Sequence, residues 1–474
     1  MSRVDLFIFF IGASSRISVK LIGDLYICEI ILAVVVAAGW RRIGGMFRNR
    51  MLKWAFILAG LWLLGQILTD VYRNTPFEDW SRGWAKIIFF MIDLMGLALS
   101  TRFRMRSAVL LSLGLGVAFL LQSILFPNQA QADGDFADGM WKFGVGAFFG
   151  AAAAALCVSD LLYRMIGMAA EYLPLLIAGV VNLAMNSRSA FGIAVAAAAA
   201  GAVTQFVARR PALGRRITLP RFVILLAFAA LSGKGLVGIY EYAAVNHLLG
   251  EAALEKYQRQ TSGSLGLLQA GRVESLASLE AIGDSPVIGH GSWAKDEKYV
   301  RSLYIALEDA GNANYDDIYR VDDFTIPTHS HILGSWVDAG IFGGVFWTYC
   351  LALIFAAAYV AFKGAATGKS RSTKYSTFVY YNLLGFAWAI PFSPFANSSR
   401  VSDAAVLIMI AATISLYSGA DAARAAAQPS TRKISNMRLA RRFAYAPRAP
   451  KCSRRAGLRP STGAQAPDKS ASRS

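Results

Sequence analysis

IPTHSHILGSWVDAGIFGGVFWTYCLALIFAAAYVAF (326–362) holds no lysine or arginine and a single acid, Asp338. From about residue 332 onward it is long and apolar enough to cross a hydrocarbon core of about 30 Å. It nevertheless begins with His329-Ser330-His331, which are two of the four histidines in the chain. Polar rings gain little from lying at a lipid boundary, so this stretch raises both the fold and the function. Similar apolar runs recur at about 3–12, 21–40, 52–70, 84–100, 107–126, 141–159, 166–186, 190–208, 221–243, 376–395 and 403–419. With 332–362 they predict an all-α, multi-pass transmembrane helical bundle of about 12 spans, without strands or internal repeats.

Composition agrees with that reading. The 474 residues are 55% hydrophobic and 16% charged, where a soluble chain carries about a quarter charged. The formal charge of +18 does not indicate nucleic-acid binding, because it is concentrated in one place. Thirteen lysines and arginines against Asp421 and Asp468 lie after residue 420. That Ala-, Pro-, Ser- and Arg-rich segment has no sustained apolar period and reads as a disordered tail facing anionic lipid. Cys28, Cys157, Cys350 and Cys452 show no C-x-x-C spacing, so neither a disulfide framework nor a zinc site is indicated. The first residues lack the pattern of a cleavable signal peptide.

Lysine and arginine in short connectors orient membrane helices. With twelve spans, the basic connectors 41–53, 101–106, 209–221 and 363–374 fall on one side with the tail, which makes that side cytoplasmic. The other side receives 70–82, the acidic 128–138, the turn at Ser187-Arg188 and one long insertion. The organisation is then 1–243 membrane helices, 244–328 external loop, 329–419 membrane helices and 420–474 tail. The insertion carries thirteen acids against seven basic residues, and a loop of that length is usually functional or disordered. Within it, Leu265, Leu268, Val273, Leu276, Leu279 and Ile282 follow a helical period ending at Gly283, and 300–307 reads as a second short helix.

Three features on the loop side could carry chemistry. Arg188 lies in NSRSAFG (186–192) between two spans; taken alone it is an interfacial arginine snorkelling to headgroups. Arg272 lies in GRVESLASLEAIGDSPVIGHG (271–291), where the plain alternative is a solvated helix residue. His329 and His331 stand at the start of the opening stretch, where a helix cap is the plain alternative. Together, two guanidinium groups and an imidazole suit an anionic leaving group and a hydroxyl nucleophile. Arginine binds two phosphate oxygens at once and keeps its charge, and histidine accepts protons near neutral pH.

These motifs resemble the bacterial O-antigen ligase/polymerase family of polyprenyl-linked glycan transferases. The resemblance rests on the SR turn at Arg188, the GR at Arg272 and Ser285-Pro286-Val287-Ile288-Gly289-His290-Gly291. It continues through His329-Ser330-His331-Ile332-Leu333 and Gly340-Ile341-Phe342-Gly343, with a long external loop before the last three spans. It implies a GT-C-like, metal-independent, inverting glycosyltransferase in the bacterial inner membrane with its active site facing the periplasm. The donor would be an undecaprenyl-diphosphate-linked glycan, held through Arg188 and Arg272, and His329 would activate the acceptor hydroxyl. No cofactor is implied. His329 takes the family position, eleven residues before Gly340; His331, two positions on, points to a different side of the entering helix and reads as support, with a second base or substrate contact as the other role. His290 departs from the family pattern as a possible substrate contact.

Polymerisation of exopolysaccharide or O-antigen repeats is the preferred expectation, because an acidic loop with Trp293, Tyr299, Tyr304, Tyr315 and Tyr319 suits a flexible sugar chain. Ligation to a lipid A core acceptor is the alternative, and polysaccharide export and assembly proteins are possible partners. The acidic pairs Asp316-Asp317 and Asp322-Asp323 read as a solvated or sugar-binding face. A transporter of lipid-linked glycan is a third reading, kept open by Lys234 and Asp93.

Overall fold

In lipid every backbone N–H and C=O must be paired within its own segment, so apolar runs of this length fold as helices. The computed structural model describes residues 2–20, 23–127, 136–248, 250–251, 254, 257–258, 274–309, 324–366 and 373–417. Arg272, the acidic pairs at 316–317 and 322–323, Tyr315, Tyr319 and the tail lie outside the described residues, as does the side chain of Lys234.

The first helix, α1 (Arg3–Ala13), starts with a capping box: Ser2 Oγ accepts from the Asp5 N–H, and the Asp5 carboxylate accepts from the Ser2 N–H. An antiparallel hairpin of β1 (Ser18–Lys20) and β2 (Asp24–Tyr26) follows. This corrects the strand-free expectation; three-residue strands are too short for an alternating pattern to show. The chain continues through α2 (Ile27–Ala38), α3 (Arg50–Arg73), α4 (Phe77–Thr101) and α5 (Met105–Leu125). A π-helical run, Ala137–Val145, leads into α6 (Gly146–Leu156), and then come α7 (Asp160–Ile166), α8 (Leu173–Ala184), α9 (Arg188–Ala208) and α10 (Leu219–Val245). The loop contributes α11 (Glu274–Asp284) and α12 (Glu297–Asp309). The bundle closes with α13 (His331–Ala339), α14 (Ile341–Ala366), α15 (Ser376–Phe392) and α16 (Arg400–Tyr417).

Among the described residues seven helices are long and apolar enough to cross a membrane, or eight if Asp160–Glu171 and Leu173–Ala184, bent by 66°, form one span. The expected twelve included shorter pieces: α1 has 11 residues and α2 has 12, and at 1.5 Å per residue neither reaches across about 30 Å. The stretch 332–362 is not one span either. It divides at Gly340, whose φ of +64° belongs to the left-handed region, and a Cβ there would overlap the Val287 carbonyl. Glycine is the residue that tolerates both conditions.

Lipid tails are as apolar as leucine, so close contact rather than exclusion of water holds such helices together. Between α1 and α5, a Cβ on Gly12 would lie 2.6 Å from the Leu111 carbonyl oxygen, and one on Gly114 would overlap that of Phe9. At the centre, Trp62 of α3 stacks on Phe346 at 5.2 Å and meets Trp347 and Phe395 edge-on or tilted. Polar ties cross the same interior. Arg400 Nε and Nη2 donate to the two Glu29 oxygens at 2.7 and 3.0 Å, and Nη2 also donates to the Asp24 carbonyl. Removing one half of such a buried pair costs about 3–5 kcal/mol, because the other charge is left without compensation.

Both ends of the bundle are tied by specific contacts. At one end Lys363 donates to the Gly214 and Ile217 carbonyls, Lys374 pairs with Asp160 and Arg106 pairs with Asp5. At the other, the long loop leaves α10 and returns into α13.

Candidate functional site

The loop returns to the bundle through Ser285–Trp293, and this segment is fastened to α3 by side chains. Buried Asp70 accepts from the Ser292 N–H at 2.7 Å, from Ser292 Oγ at 2.8 Å and from Trp84 Nε1 at 2.8 Å. Arg73, one turn on, donates through Nε and Nη2 to the Gly289 carbonyl at 3.1 and 2.9 Å and through Nη2 to Ser285 Oγ. Thr69 Oγ1 donates to the Ile288 carbonyl. The other side of the segment lies on α13: His290 N–H donates to Val337 O, Gly291 N–H to Asp338 O, and Trp336 Nε1 to Pro286 O.

The two glycine stretches singled out in the sequence therefore meet. Gly289 and Gly291 have φ of +82° and +96°, and a Cβ on Gly289 would come within 2.5 Å of the Gly340 nitrogen. Loop and helix break are one structural unit. On its outer side α11 pairs with α12 through Asp284, which accepts from Lys298 Nζ and from the Tyr299 hydroxyl at 2.7 Å. The Lys298 bond, then that of Tyr299, holds the Asp284 carboxyl below the usual carboxylate range. Burial, then the bond to Asp284, pushes the Tyr299 hydroxyl up to about 12.

His329 and His331 face different surroundings. His329 is 54% exposed, with Nδ1 3.9 Å from the Glu274 carboxylate at the start of α11. Ser330 between them is the N-cap of α13, accepting from the Leu333 N–H and donating to the Ile390 carbonyl. His331 is 1% exposed. Its Nδ1 donates to the Ser393 carbonyl at 2.5 Å and its Nε2 lies 3.2 Å from Asp403, with Trp347 and Phe395 against the ring.

Of the two roles read for His331, the internal, supporting one fits this burial and a substrate contact does not: the cap residue Ser330 is extended, and the first helical turn carries the His331 ring into the bundle. His290 is likewise committed to the fold. Its Nε2 donates to the Ala281 carbonyl at 2.7 Å and its ring meets Tyr299 edge-on.

Arg188 opens α9, after Asn186 in a left-handed conformation at φ +53°. Its guanidinium carbon lies 4.8 Å from the Tyr240 ring centre, and the Tyr240 hydroxyl reaches Asn186 at 3.5 Å. Tyr240 is five residues before the end of α10, where the long loop departs, so Arg188 and His329 both belong to the loop end of the bundle. A cation at a helix N-terminus is opposed by the helix dipole; the aromatic face offsets part of that.

Sequence reasoning missed Glu274, Asp70 and Arg73. Glu274 stands in the 271–291 stretch with no role read from it, and Asp70 and Arg73 fall in the connector 70–82 although both lie in the last turn of α3. Among the described residues no group of three or more His, Cys, Asp or Glu is placed to hold a metal ion. These features define a helical membrane protein with an exposed histidine and a half-buried arginine at its loop end. No family model matches the chain, and no curated protein sequence is significantly similar to it.

Proposed function

We propose that this chain is an integral membrane glycosyltransferase of the bacterial inner membrane, moving an undecaprenyl-diphosphate-linked glycan onto a hydroxyl acceptor at its loop end. The carrying observation is the unequal pair: His329 is exposed beside Glu274, whereas His331 is sealed inside. In this reading His329 takes the acceptor proton as the hydroxyl oxygen attacks the anomeric carbon. The glycosidic bond to the diphosphate breaks on the opposite face, inverting the centre, and the negative charge leaves with the lipid diphosphate. Arg188 and Arg272 bind that diphosphate, and preorganised charge of this kind is usually the largest catalytic term. Glu274 orients the imidazole. Acceptors that lengthen the glycan make the protein a polymerase of exopolysaccharide or O-antigen; transfer to lipid A core makes it a ligase.

Purified protein incubated with a defined undecaprenyl-diphosphate oligosaccharide tests the reading. Lengthened chains support polymerisation, glycan on added lipid A core supports ligation, and neither product under conditions where the donor binds rejects both. A transporter remains the competing reading for one reason: both Asp93 oxygens are buried in α4 without a hydrogen-bond partner, and ionisable groups inside a membrane commonly mark translocation paths. Movement of labelled donor across proteoliposomes without product would favour it.

A further inference from the structure

The end of the bundle away from the long loop holds a cavity of about 500 Å³ between the starts of α1 and α5 and the ends of α2 and α4. Its composition is divided. Val4, Phe7, Val35 and Leu99 give it apolar walls, and Ser2, Ser100, Thr101 and Ser107 add hydroxyls. Arg102, Arg104 and Arg106 bring three guanidinium groups, with Asp5 the one acid in the lining. Asp5 is already engaged, accepting from the Ser2 N–H at 3.0 Å and pairing with Arg106 at 3.0 Å. The lining therefore keeps a formal surplus of two positive charges.

The connector that supplies these arginines is unusual. Arg102 and Phe103 are both left-handed, with φ of +51° and +57°, a conformation that costs non-glycine residues about 1 kcal/mol or more each. The turn is held by Arg102 N–H donating to the Ala98 carbonyl and Arg104 N–H to the Thr101 carbonyl. The side chains of Arg102 and Arg104 are exposed. Close by, Val4 and Phe7 are 55% and 39% exposed on α1. Because α1 is only 11 residues long and runs alongside α5, it leaves this apolar edge beside the arginines at the end of two membrane-length helices.

We infer that this cavity seats one phospholipid with an anionic headgroup, its phosphodiester against Arg102 and Arg104 and its acyl chains along Val4, Phe7, Val35 and Leu99. The apolar wall next to a cationic floor is what selects a lipid over a soluble anion. Guanidinium groups can bind two oxygens of the same phosphate, and Arg106, held by Asp5, fixes the floor in place. The site is independent of the glycan-transfer reading, because it lies at the opposite end of the bundle.

The test uses the full chain, purified in detergent and delipidated, titrated with phosphatidylglycerol, phosphatidylcholine or inorganic phosphate. Thermal unfolding and native mass spectrometry give the two readouts. Phosphatidylglycerol should raise the unfolding temperature and remain bound in the gas phase, whereas the other two should do neither. The paired substitution Arg102→Gln with Arg104→Gln should weaken lipid binding by at least about fivefold for each charge removed.

Both side chains are exposed, so the variant should unfold at the same temperature as the parent when no lipid is added. If it does not, Ser100→Trp supplies the second arm by filling the cavity with the arginines in place. Equal responses to phosphatidylglycerol and phosphatidylcholine would overturn the proposal, as would unchanged lipid binding in both variants. A response to inorganic phosphate alone would make the cavity a soluble-anion site and would also overturn it.

Discussion

His329 and His331 are two residues apart and have opposite surroundings, which gives the residue scale its sharpest test. His329→Ala should lower glycan transfer by about 10²–10⁴-fold, the usual contribution of a general base, while donor binding and unfolding temperature stay near those of the parent. His331→Ala should lower the unfolding temperature, because Asp403 and the Ser393 carbonyl lose their partner inside the bundle. Donor binding, turnover and thermal unfolding, measured separately in nanodiscs, check the pair; loss of turnover confined to His331→Ala would reverse the assignment. For Arg188, lysine keeps the charge but not the fork that binds two oxygens. Arg188→Lys should therefore transfer nearly as poorly as Arg188→Ala at equal protein level, and near-normal synthesis by the lysine variant would reduce Arg188 to an interfacial anchor. Sequence alone separated the two histidines by counting back from Gly340. It did not find Glu274, since a carboxylate beside His329 depends on how α11 is laid against α13, and nothing in the local pattern encodes that.

At the scale of elements, most helices were legible because their apolar runs are long and uninterrupted. The division of 332–362 was not, since a glycine within such a run is common in membrane helices and becomes a break only when the chain at Val287 lies against it. Gly340→Ala should pull the 285–293 segment away from α13. The measurement is limited proteolysis of the loop, which should be faster than in the parent, with Gly385→Ala as the control because a Cβ at Gly385 meets open space. Equal proteolysis rates would show that the close approach is not needed. The α11–α12 contact should respond to pH. Asp284 is held below its usual carboxylate range by Lys298 and Tyr299, so its contribution is present above an unfolded value of about 3.9 and is lost as pH falls below it. Hydrogen exchange in α11 should rise on acidification through that range, and Asp284→Asn should remove the dependence; an unchanged profile in the asparagine variant would assign it to other groups.

For the whole molecule, the charge pattern of the short connectors defined two faces, and the contacts of Lys363 with the 214–217 carbonyls and of Lys374 with Asp160 join segments expected on the same one. The number of crossings is less legible: 3–12 already reads as a short half-helix, and α2, with 12 residues, is an apolar run whose helix is too short to cross by length. Deletion of residues 420–474 should leave glycan transfer within about twofold of the parent, since the connector charges assign the tail, as an expectation, to the face opposite the long loop. Labelling of Cys452 by an impermeant thiol reagent in intact spheroplasts would invert that assignment. The bond between Asp70 and Ser292, finally, sets an order of events during synthesis. The two residues are 222 positions apart, so at about 5–20 residues per second a ribosome needs about 11–44 s to bring the second after the first. Throughout that interval the carboxylate at the end of α3 is without the loop partner that satisfies it in the finished protein. The loop end can therefore close only after most of the chain has been made, and a product cut short before Ser292 would leave this acid with Trp84 and Gln66 as its remaining partners.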